Sequence, residues 1–180
     1  MDTALLALED GTVFEGRSFG ARTESYGEVV FNTSITGYQE IFTDPSYAGQ
    51  IVVLTAPQIG NYGSNPGDSE AVKPFIEGLV VREFSPIASN WRSQQEADDF
   101  LSCASIPVGS NMDTRALVRH LRSAGVMRGV LSTISTDAAA LVEKARAIPS
   151  MAGLDLATRV STLETYKWDE GVDQIGRAHV

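Results

Sequence analysis

Residues 43–49 read TDPSYAG and place a carboxylate, a hydroxyl and a phenol around Pro45. An aspartate at the first position of a turn accepts local backbone hydrogen bonds, and proline fixes φ at the second position, so the residue types alone favour a turn. A rigid turn would also present the Ser46 hydroxyl, which both donates and accepts hydrogen bonds, to a group outside the domain. Residue chemistry leaves the choice between a plain turn and a binding site open.

Two other side chains, Cys103 and His120, are candidates for nucleophilic chemistry. Cys103 falls near the apolar side of a predicted helix, with no cation or helix N-terminus close in sequence, which favours a buried structural thiol. A serine hydrolase would need Ser46, a histidine and a carboxylate together. His120 stands beside Arg119 and Arg122, two cations that disfavour its protonated form, and no GxSxG elbow surrounds the serine. A solvated helix-face histidine is favoured, and a self-contained hydrolase is the alternative.

Metal and phosphate sites are not indicated by the sequence. It contains no CxxC, HxxxH or HExxH spacing. The neighbouring carboxylates Asp98 and Asp99 point to different sides of a predicted helix, and Glu9 with Asp10 belongs to a predicted hairpin, so both pairs are interpreted as solvated surface. The glycines of GNYGSNPG lack the Lys-Ser/Thr end of a phosphate-binding loop and favour turns. No metal and no cofactor are therefore predicted for this chain.

The composition is that of a soluble globular protein, with 43% apolar and 21% charged residues among 180. The net charge of -9 and the scattered positions of the 14 basic residues exclude nucleic acid as an expected partner. The N-terminus has no cation before its short apolar run, and no apolar stretch approaches the thickness of a bilayer. A single cysteine agrees with a reducing compartment. The expected location is the cytoplasm, without membrane attachment.

The first half of the chain, which contains Ser46, is predicted to form mainly strands. Asp10-Gly11 is a strong hairpin signal between two runs of β-favouring residues. Glycines and prolines after residue 60 indicate a long loop that covers some surface. In order, the predicted elements are strands at 4–8, 12–19, 28–32 and 50–55, with a short helix in residues 35–42 and a loop at 60–74.

The second half alternates strand and helix. Asp113 is a good helix N-cap, Leu117 and Leu121 lie one turn apart on a buried face, and Gly125 stands at the expected C-terminal stop. Pro107 suggests that its strand lies at a sheet edge. The predicted elements are strands at 76–84, 106–108 and 126–133 and helices at 93–104, from 113 and at 137–147. This order indicates a layered α/β domain, an antiparallel section followed by a βαβ-like section.

Five motifs follow one another along the chain: GEVVFNTSITGYQEIFTDPSYAGQIVVLT, PQIGNYG, EGLVVREFS, SNW and DTRALVRHLR. In this order they closely resemble the N-terminal domain of the small chain of glutamine-dependent carbamoyl-phosphate synthase, in a match from about Ala4 to Trp168. The resemblance implies an α/β domain of the three-layer swivelling β/β/α type, in residues 1–155. One departure is the segment Ser110-Asn111-Met112, where a more apolar strand end is expected.

The resemblance also implies a function. In this family a class I glutamine amidotransferase domain follows, whose Cys, His and Glu hydrolyse glutamine. The ammonia passes through a tunnel to a large chain, which uses ATP, magnesium and bicarbonate to make carbamoyl phosphate for arginine and pyrimidine biosynthesis. By match, Ser46 of DPSY contributes to the glutamine site across the domain boundary, and this domain docks on the large chain. Cys103 does not match the family nucleophile, so no catalytic residue and no glutaminase activity are expected within residues 1–180.

The last part of the chain is interpreted separately. Residues 156–174 are expected to form a linker toward an absent amidotransferase domain. The final six residues, IGRAHV, resemble a translated sequencing adapter, so residues 175–180 are interpreted as an artefact and the gene as truncated. The alternative is a stand-alone, non-catalytic binding or scaffold module of the same fold.

Overall fold

Seven strands close into a barrel in the order β1-β2-β6-β5-β4-β3-β7 within the part of the chain that the structure describes. The structure is a computed structural model, and it describes residues 3–151, 153–162 and 164–167. The predictions for residues 168–180 lie outside these ranges. The strands are β1 (Thr3–Leu8), β2 (Val13–Gly20), β3 (Glu24–Asn32), β4 (Gln50–Leu54), β5 (Gly78–Val80), β6 (Pro107–Ser110) and β7 (Met127–Ser132).

The helices begin and end where their caps require. Asp113 Oδ1 accepts a hydrogen bond from the Ala116 backbone N–H at 2.9 Å, and Gly125 ends the helix at φ 95°. Asp137 caps the next helix in the same way. The helices are α1 (Tyr38–Thr43), α2 (Ala97–Cys103), α3 (Thr114–Ala124), α4 (Ala138–Ala147) and α5 (Leu156–Val160). In the described ranges no helix combines the length and apolar character needed to cross a bilayer.

The pairing pattern confirms a mixed α/β domain. Strands β3, β4, β5 and β6 pair in parallel, and the other neighbours are antiparallel, including the predicted β1-β2 hairpin. The prediction that the Pro107 strand lies at an edge is wrong, because β6 pairs with β2 on one side and β5 on the other. A closed barrel has no edge strands. Pro107 is tolerated in β6 because it is the first residue of the strand.

The barrel interior is an apolar cluster to which strands from all sides contribute. Met112, Leu117 and Leu121, from α3 and the segment before it, complete the cluster. The expected departure at Ser110 is accommodated, because its side-chain oxygen accepts a hydrogen bond from the Phe84 backbone N–H at 3.0 Å. The strand residues of the cluster are Ala4, Leu6, Leu8, Val29, Ile51, Val53, Val80 and Leu131.

The outer face of the barrel is covered by helices on two sides. Helices α1 and α2 pack over one face, where Phe42 and Leu101 are fully buried, and α4 packs on β1 and β7. Several element bounds differ from the sequence predictions: β3 begins at Glu24, β5 has three residues, and α2 begins at Ala97. The α/β class is confirmed, while the finer three-layer classification stays a prediction. Helix α1 and strand β4 flank the residues that carry Ser46.

Candidate functional site

Ser46 lies on a single 3₁₀ turn between α1 and β4, and residues 44–49 are called the Ser46 turn below. Asp44 Oδ1 accepts the Ser46 backbone N–H at 2.8 Å, and the Asp44 carbonyl oxygen accepts the Tyr47 N–H at 3.1 Å. The Ala48 N–H closes the turn by donating to the Pro45 carbonyl oxygen at 3.1 Å. The predicted turn, shaped by its aspartate and proline, is therefore confirmed.

The entry to the turn is fixed by Thr43, the last residue of α1, which is fully buried. Its hydroxyl donates to the Gln39 carbonyl oxygen at 2.9 Å and accepts the Glu70 backbone N–H at 2.9 Å. Glu70 belongs to the predicted covering loop at 60–74, which thus reaches back onto α1. The end of α1, from which the turn departs, is held by contacts both within the helix and across to this loop.

The exit from the turn is attached to strand β3. Gly49 has φ 83°, a left-handed conformation that glycine adopts without steric cost, and its carbonyl oxygen accepts the Glu28 N–H at 3.1 Å. The phenol of Tyr47 accepts a hydrogen bond from Asn32 Nδ2 at 2.9 Å. Backbone and side-chain bonds therefore both fix the turn relative to β3.

The Ser46 side chain is exposed. No hydrogen bond joins its hydroxyl to any other described residue, although its backbone N–H is bonded to Asp44. A short side chain on a fixed turn loses little conformational entropy when it binds a polar group. In the described part of the chain no base is hydrogen-bonded to this hydroxyl, as activation of a nucleophile would require. The arrangement suits orientation of a ligand by hydrogen bonding.

The other two nucleophile candidates are not assembled with Ser46. His120 Nε2 donates to Asp10 Oδ2 at 2.7 Å, and this bond joins α3 to the β1-β2 hairpin. The prediction of a solvated histidine on a helix face did not include Asp10 as its partner. Cys103 is exposed, and the prediction of a buried thiol is wrong. Helix α2 ends at Cys103, and Leu101 fills the core position instead.

A second set of polar contacts, called the hairpin cluster, comprises Glu9, Asp10, Thr12, His120 and Arg128. The Glu9 carboxylate accepts the Arg128 backbone N–H at 2.9 Å and Nε at 2.8 Å, and these hydrogen bonds hold the pKa of Glu9 below its usual value. Partial burial opposes ionisation of Asp10, but hydrogen bonds from Thr12 and His120 hold its pKa below the usual value. Both carboxylates have hydrogen-bond partners on other elements, which the interpretation as solvated surface missed.

Metal-ligating side chains do not gather among the described residues: no group of three or more His, Cys, Asp or Glu could hold an ion there. Asp98 Oδ1 instead accepts the Gly20 backbone N–H at 2.6 Å and fastens α2 to the end of β2. In the GNYGSNPG loop, Gly60 and Gly63 adopt left-handed conformations at φ 87° and 69°. These glycines form turns, as their composition indicates.

Sequence reasoning missed a stacked tyrosine pair at the start of α1. The Tyr38 and Tyr62 rings lie 3.9 Å apart, and the Tyr62 hydroxyl accepts the backbone N–H groups of Gly37 and Tyr38 at 2.9 Å. Burial raises the pKa of both phenols. Tyr62 lines a cavity of about 210 Å³ that is also lined by Arg92. The signal was present in the motifs GYQ and NYG, but only the fold shows that the two rings meet.

Comparison with known proteins gives consistent results. The family model described as carbamoyl-phosphate synthase small chain, CPSase domain, matches residues 6–131. A protein of Syntrophotalea carbinolica named carbamoyl phosphate synthase small chain is 55% identical over 168 residues, which cover 93% of this chain and 45% of the relative. Proteins with the same name from Nitratidesulfovibrio vulgaris and Thioalkalivibrio sulfidiphilus are 54% and 49% identical, over 92% and 98% of this chain and 44% and 46% of theirs. The chain thus spans just under half the length of these relatives.

Proposed function

The chain belongs to the carbamoyl-phosphate synthase small-chain family, and we propose that it serves as the N-terminal part of the glutamine amidotransferase subunit. In that role the Ser46 turn contributes a hydrogen bond to glutamine in a site completed by an amidotransferase domain. The observation that carries the proposal is the exposed Ser46 hydroxyl, which has no bonding partner among the described residues and stands on a turn braced at both ends.

The chemistry of glutamine fits this hydroxyl. Glutamine has an amino group that donates, a carboxylate that accepts and a side-chain amide that does both, and a serine hydroxyl pairs with any of them. Because the turn is already ordered, binding costs little further entropy and the substrate is held in one orientation. Ser46 is therefore a substrate-orienting residue, while the nucleophile and base belong to the amidotransferase domain.

The proposed product of that site is ammonia, delivered to a large synthetase chain that uses ATP, magnesium and bicarbonate for carbamoyl phosphate formation in arginine and pyrimidine biosynthesis. In this proposal the described residues alone are inactive as a glutaminase, because the nucleophile and the base belong to the amidotransferase domain. The proposed setting is the cytoplasm, and the proposed fold type is the three-layer swivelling β/β/α domain of this family.

Docking on the large chain is supported by exposed apolar side chains. Trp91, in the motif SNW, is 91% exposed, and Ile35, at the start of the segment leading into α1, is 84% exposed. Exposed apolar groups mark a surface that meets another protein when they form one contiguous patch, and the proposal requires that these two side chains belong to such a patch. The proposed partner for this surface is the large chain.

The test uses a full-length chimera in which residues 3–167 replace the matching segment of the Syntrophotalea carbinolica small chain, assembled with its large chain. Changing Ser46 to Ala should raise the KM for glutamine roughly ten-fold, about 1.4 kcal/mol, because one hydrogen bond is lost. Synthesis from added ammonia should be unchanged, because ammonia bypasses the glutamine site. Ser123→Ala, at an exposed serine of α3, is the matched control and should change neither.

Three results would count against the proposal. A chimera that binds the large chain and uses ammonia but never glutamine would contradict the amidotransferase role. An unaltered glutamine KM in Ser46→Ala would contradict the role of this hydroxyl. If the chimera does not bind the large chain while the unmodified relative does, the alternative of a stand-alone scaffold module is favoured.

A further inference from the structure

Behind the Ser46 turn, strand β3 comes unusually close to the chain that leaves the turn. Gly27 of β3 is buried, and a Cβ atom added to it would lie 2.3 Å from the Gly49 carbonyl oxygen and 3.0 Å from the Gly49 carbonyl carbon. Real Cβ atoms essentially never approach other heavy atoms within 3.0 Å. The close approach of these two backbones therefore requires that residue 27 has no side chain.

The clash could not be relieved by rotating a side chain, because the first atoms met belong to the backbone. Strand β3 is fixed on both sides: it pairs with β7, where Gly27 lies opposite Gly129, and with β4, where Glu28 lies opposite Gln50. The Ser46 turn, in contrast, has solvent on the side of its exposed serine. A side chain at position 27 would therefore push the turn outward rather than displace the strand.

A second bond from β3 sets the lateral position of the turn. Asn32 Nδ2 donates to the Tyr47 phenol at 2.9 Å, one residue after Ser46. On the other side, a Cβ added to Gly49 would lie 3.2 Å from Met151 Cε. Met151, in the segment after α4, therefore lies near the exit from the turn, and Tyr47 joins the turn to the last residue of β3.

We propose that Gly27 and Tyr47 are positioning residues for glutamine use: they let β3 set the depth and lateral position of the Ser46 hydroxyl. The inference rests on the proposed function, since it requires Ser46 to contact glutamine. Hydrogen bonds weaken steeply when distance and angle change, so a displacement of about 1 Å is enough to lose the contact. Neither residue touches glutamine in this proposal, and both act through Ser46.

The experiment compares Gly27→Ala with Gly16→Ala in the full-length chimera bound to the large chain. Gly16 of β2 is a matched control, because a Cβ there would lie 2.1 Å from the Ser110 carbonyl oxygen, an equivalent backbone clash. Strand β2 is three strands away from both β3 and β4 in the closed barrel. Both changes should lower stability, but only Gly27→Ala should raise the glutamine KM, by about five-fold, with ammonia-dependent synthesis unchanged.

Tyr47→Phe keeps the proposal testable if Gly27→Ala does not fold. It removes only the hydroxyl that accepts from Asn32, and a rise of about three-fold in the glutamine KM is expected, with ammonia-dependent synthesis unchanged. Amide hydrogen exchange in the 180-residue chain gives a readout independent of activity. Faster exchange at the Tyr47 and Ala48 amides is expected in Gly27→Ala and not in Gly16→Ala.

The outcomes separate the inference from the proposed function. If Ser46→Ala raises the glutamine KM while Gly27→Ala and Tyr47→Phe do not, the positioning role is overturned and the proposed function stands. If exchange at the turn increases but no variant, Ser46→Ala included, alters glutamine use, the proposed function fails. An equal rise in KM for Gly16→Ala would show general loss of stability and would overturn the positioning role.

Discussion

The Ser46 turn and the hairpin cluster are built on the same local motif but use it differently. In each, an aspartate Oδ1 accepts the backbone N–H two residues further on: Asp44 from Ser46 at 2.8 Å and Asp10 from Thr12 at 2.9 Å. The Thr12 hydroxyl then donates to Asp10 Oδ2 at 3.1 Å, and His120 donates to the same oxygen. The Ser46 hydroxyl makes no such bond within the described residues.

A binding residue and a structural residue of similar type differ in whether the side chain is already hydrogen-bonded within the domain. In the hairpin cluster each of the five side chains has a hydrogen-bond partner, and these bonds join the β1-β2 hairpin to α3 and β7. In the Ser46 turn the backbone is equally well bonded, while the one side chain at its tip stays available. Rigid backbone with an unused polar side chain is the combination expected of a ligand-orienting residue.

The largest effect should come from the glycine that ends the Ser46 turn. Gly49→Ala forces a non-glycine residue to φ 83° and adds a Cβ 3.2 Å from Met151 Cε, so we expect a loss of about 2 kcal/mol in the free energy of unfolding. Gly11→Ala in the hairpin has the same strain at φ 99° but its nearest atom is 3.8 Å away, so its loss should be smaller. Urea unfolding measures both. Equal losses would show that Met151 does not crowd Gly49.

The next prediction separates the two aspartates. Asp44→Ala and Asp10→Ala each remove an acceptor that fixes a turn, and each should cost about 1 kcal/mol in unfolding free energy. Only Asp44→Ala should also raise the glutamine KM of the full-length chimera, because only that turn carries Ser46. A raised KM in Asp10→Ala would break the distinction between the two regions.

A smaller effect is expected at the histidine. His120→Ala removes a partly exposed hydrogen bond to Asp10, so the unfolding free energy should fall by about 0.5 kcal/mol. Glutamine-dependent synthesis should be unchanged, since His120 is not bonded to Ser46. Loss of glutamine use without loss of stability would instead revive a hydrolytic role for this histidine. Arg119→Ala, one residue earlier on α3, serves as the control for helix effects.

The smallest predicted effect is a dependence of stability on acid. Because the pKa values of Glu9 and Asp10 are lowered in the folded protein, their stabilising contribution is complete above the usual values of 4.5 and 3.8. It is lost as the pH falls below those values toward the folded pKa. The variant carrying Glu9→Gln and Asp10→Asn should show a flatter decline of the urea midpoint below pH ~4.5 than the unaltered chain. An identical decline of the urea midpoint in both proteins would show that groups other than Glu9 and Asp10 cause the acid sensitivity.

Sequence reasoning predicted best where structure depends on near neighbours in the chain. The caps at Asp113 and Asp137 and the turn at Asp44 are confirmed, because each needs only a carboxylate within three residues of a free N–H group. The family resemblance is confirmed as well. The domain boundaries at 155 and 174 and the glutamine contact of Ser46 stay predictions.

The wrong predictions concern relations between distant segments. Pro107 was placed at an edge because a strand pattern does not reveal that a sheet closes, and β6 in fact has two neighbours. The burial predicted for Cys103 is wrong because helical periodicity does not show at which residue the helix stops packing on the core. Cys103 is the last residue of α2 and is exposed. Helical period and residue type set the local form of an element, but the exposure of its last turn depends on what packs against it.

The turn at TDPSYAG and the strand and helix types are predicted from the sequence, because they follow from φ preferences and hydrogen bonds between residues two to four positions apart. The resemblance of the surrounding motif, and not residue chemistry, identifies Ser46 as the residue to test. The tertiary structure is needed to show that the Ser46 hydroxyl has no hydrogen-bond partner among the described residues, that His120 is bonded to Asp10, and that Gly27 lies against Gly49. Barrel closure brings these distant segments together, and such contacts depend on the packing of the whole domain rather than on any local pattern.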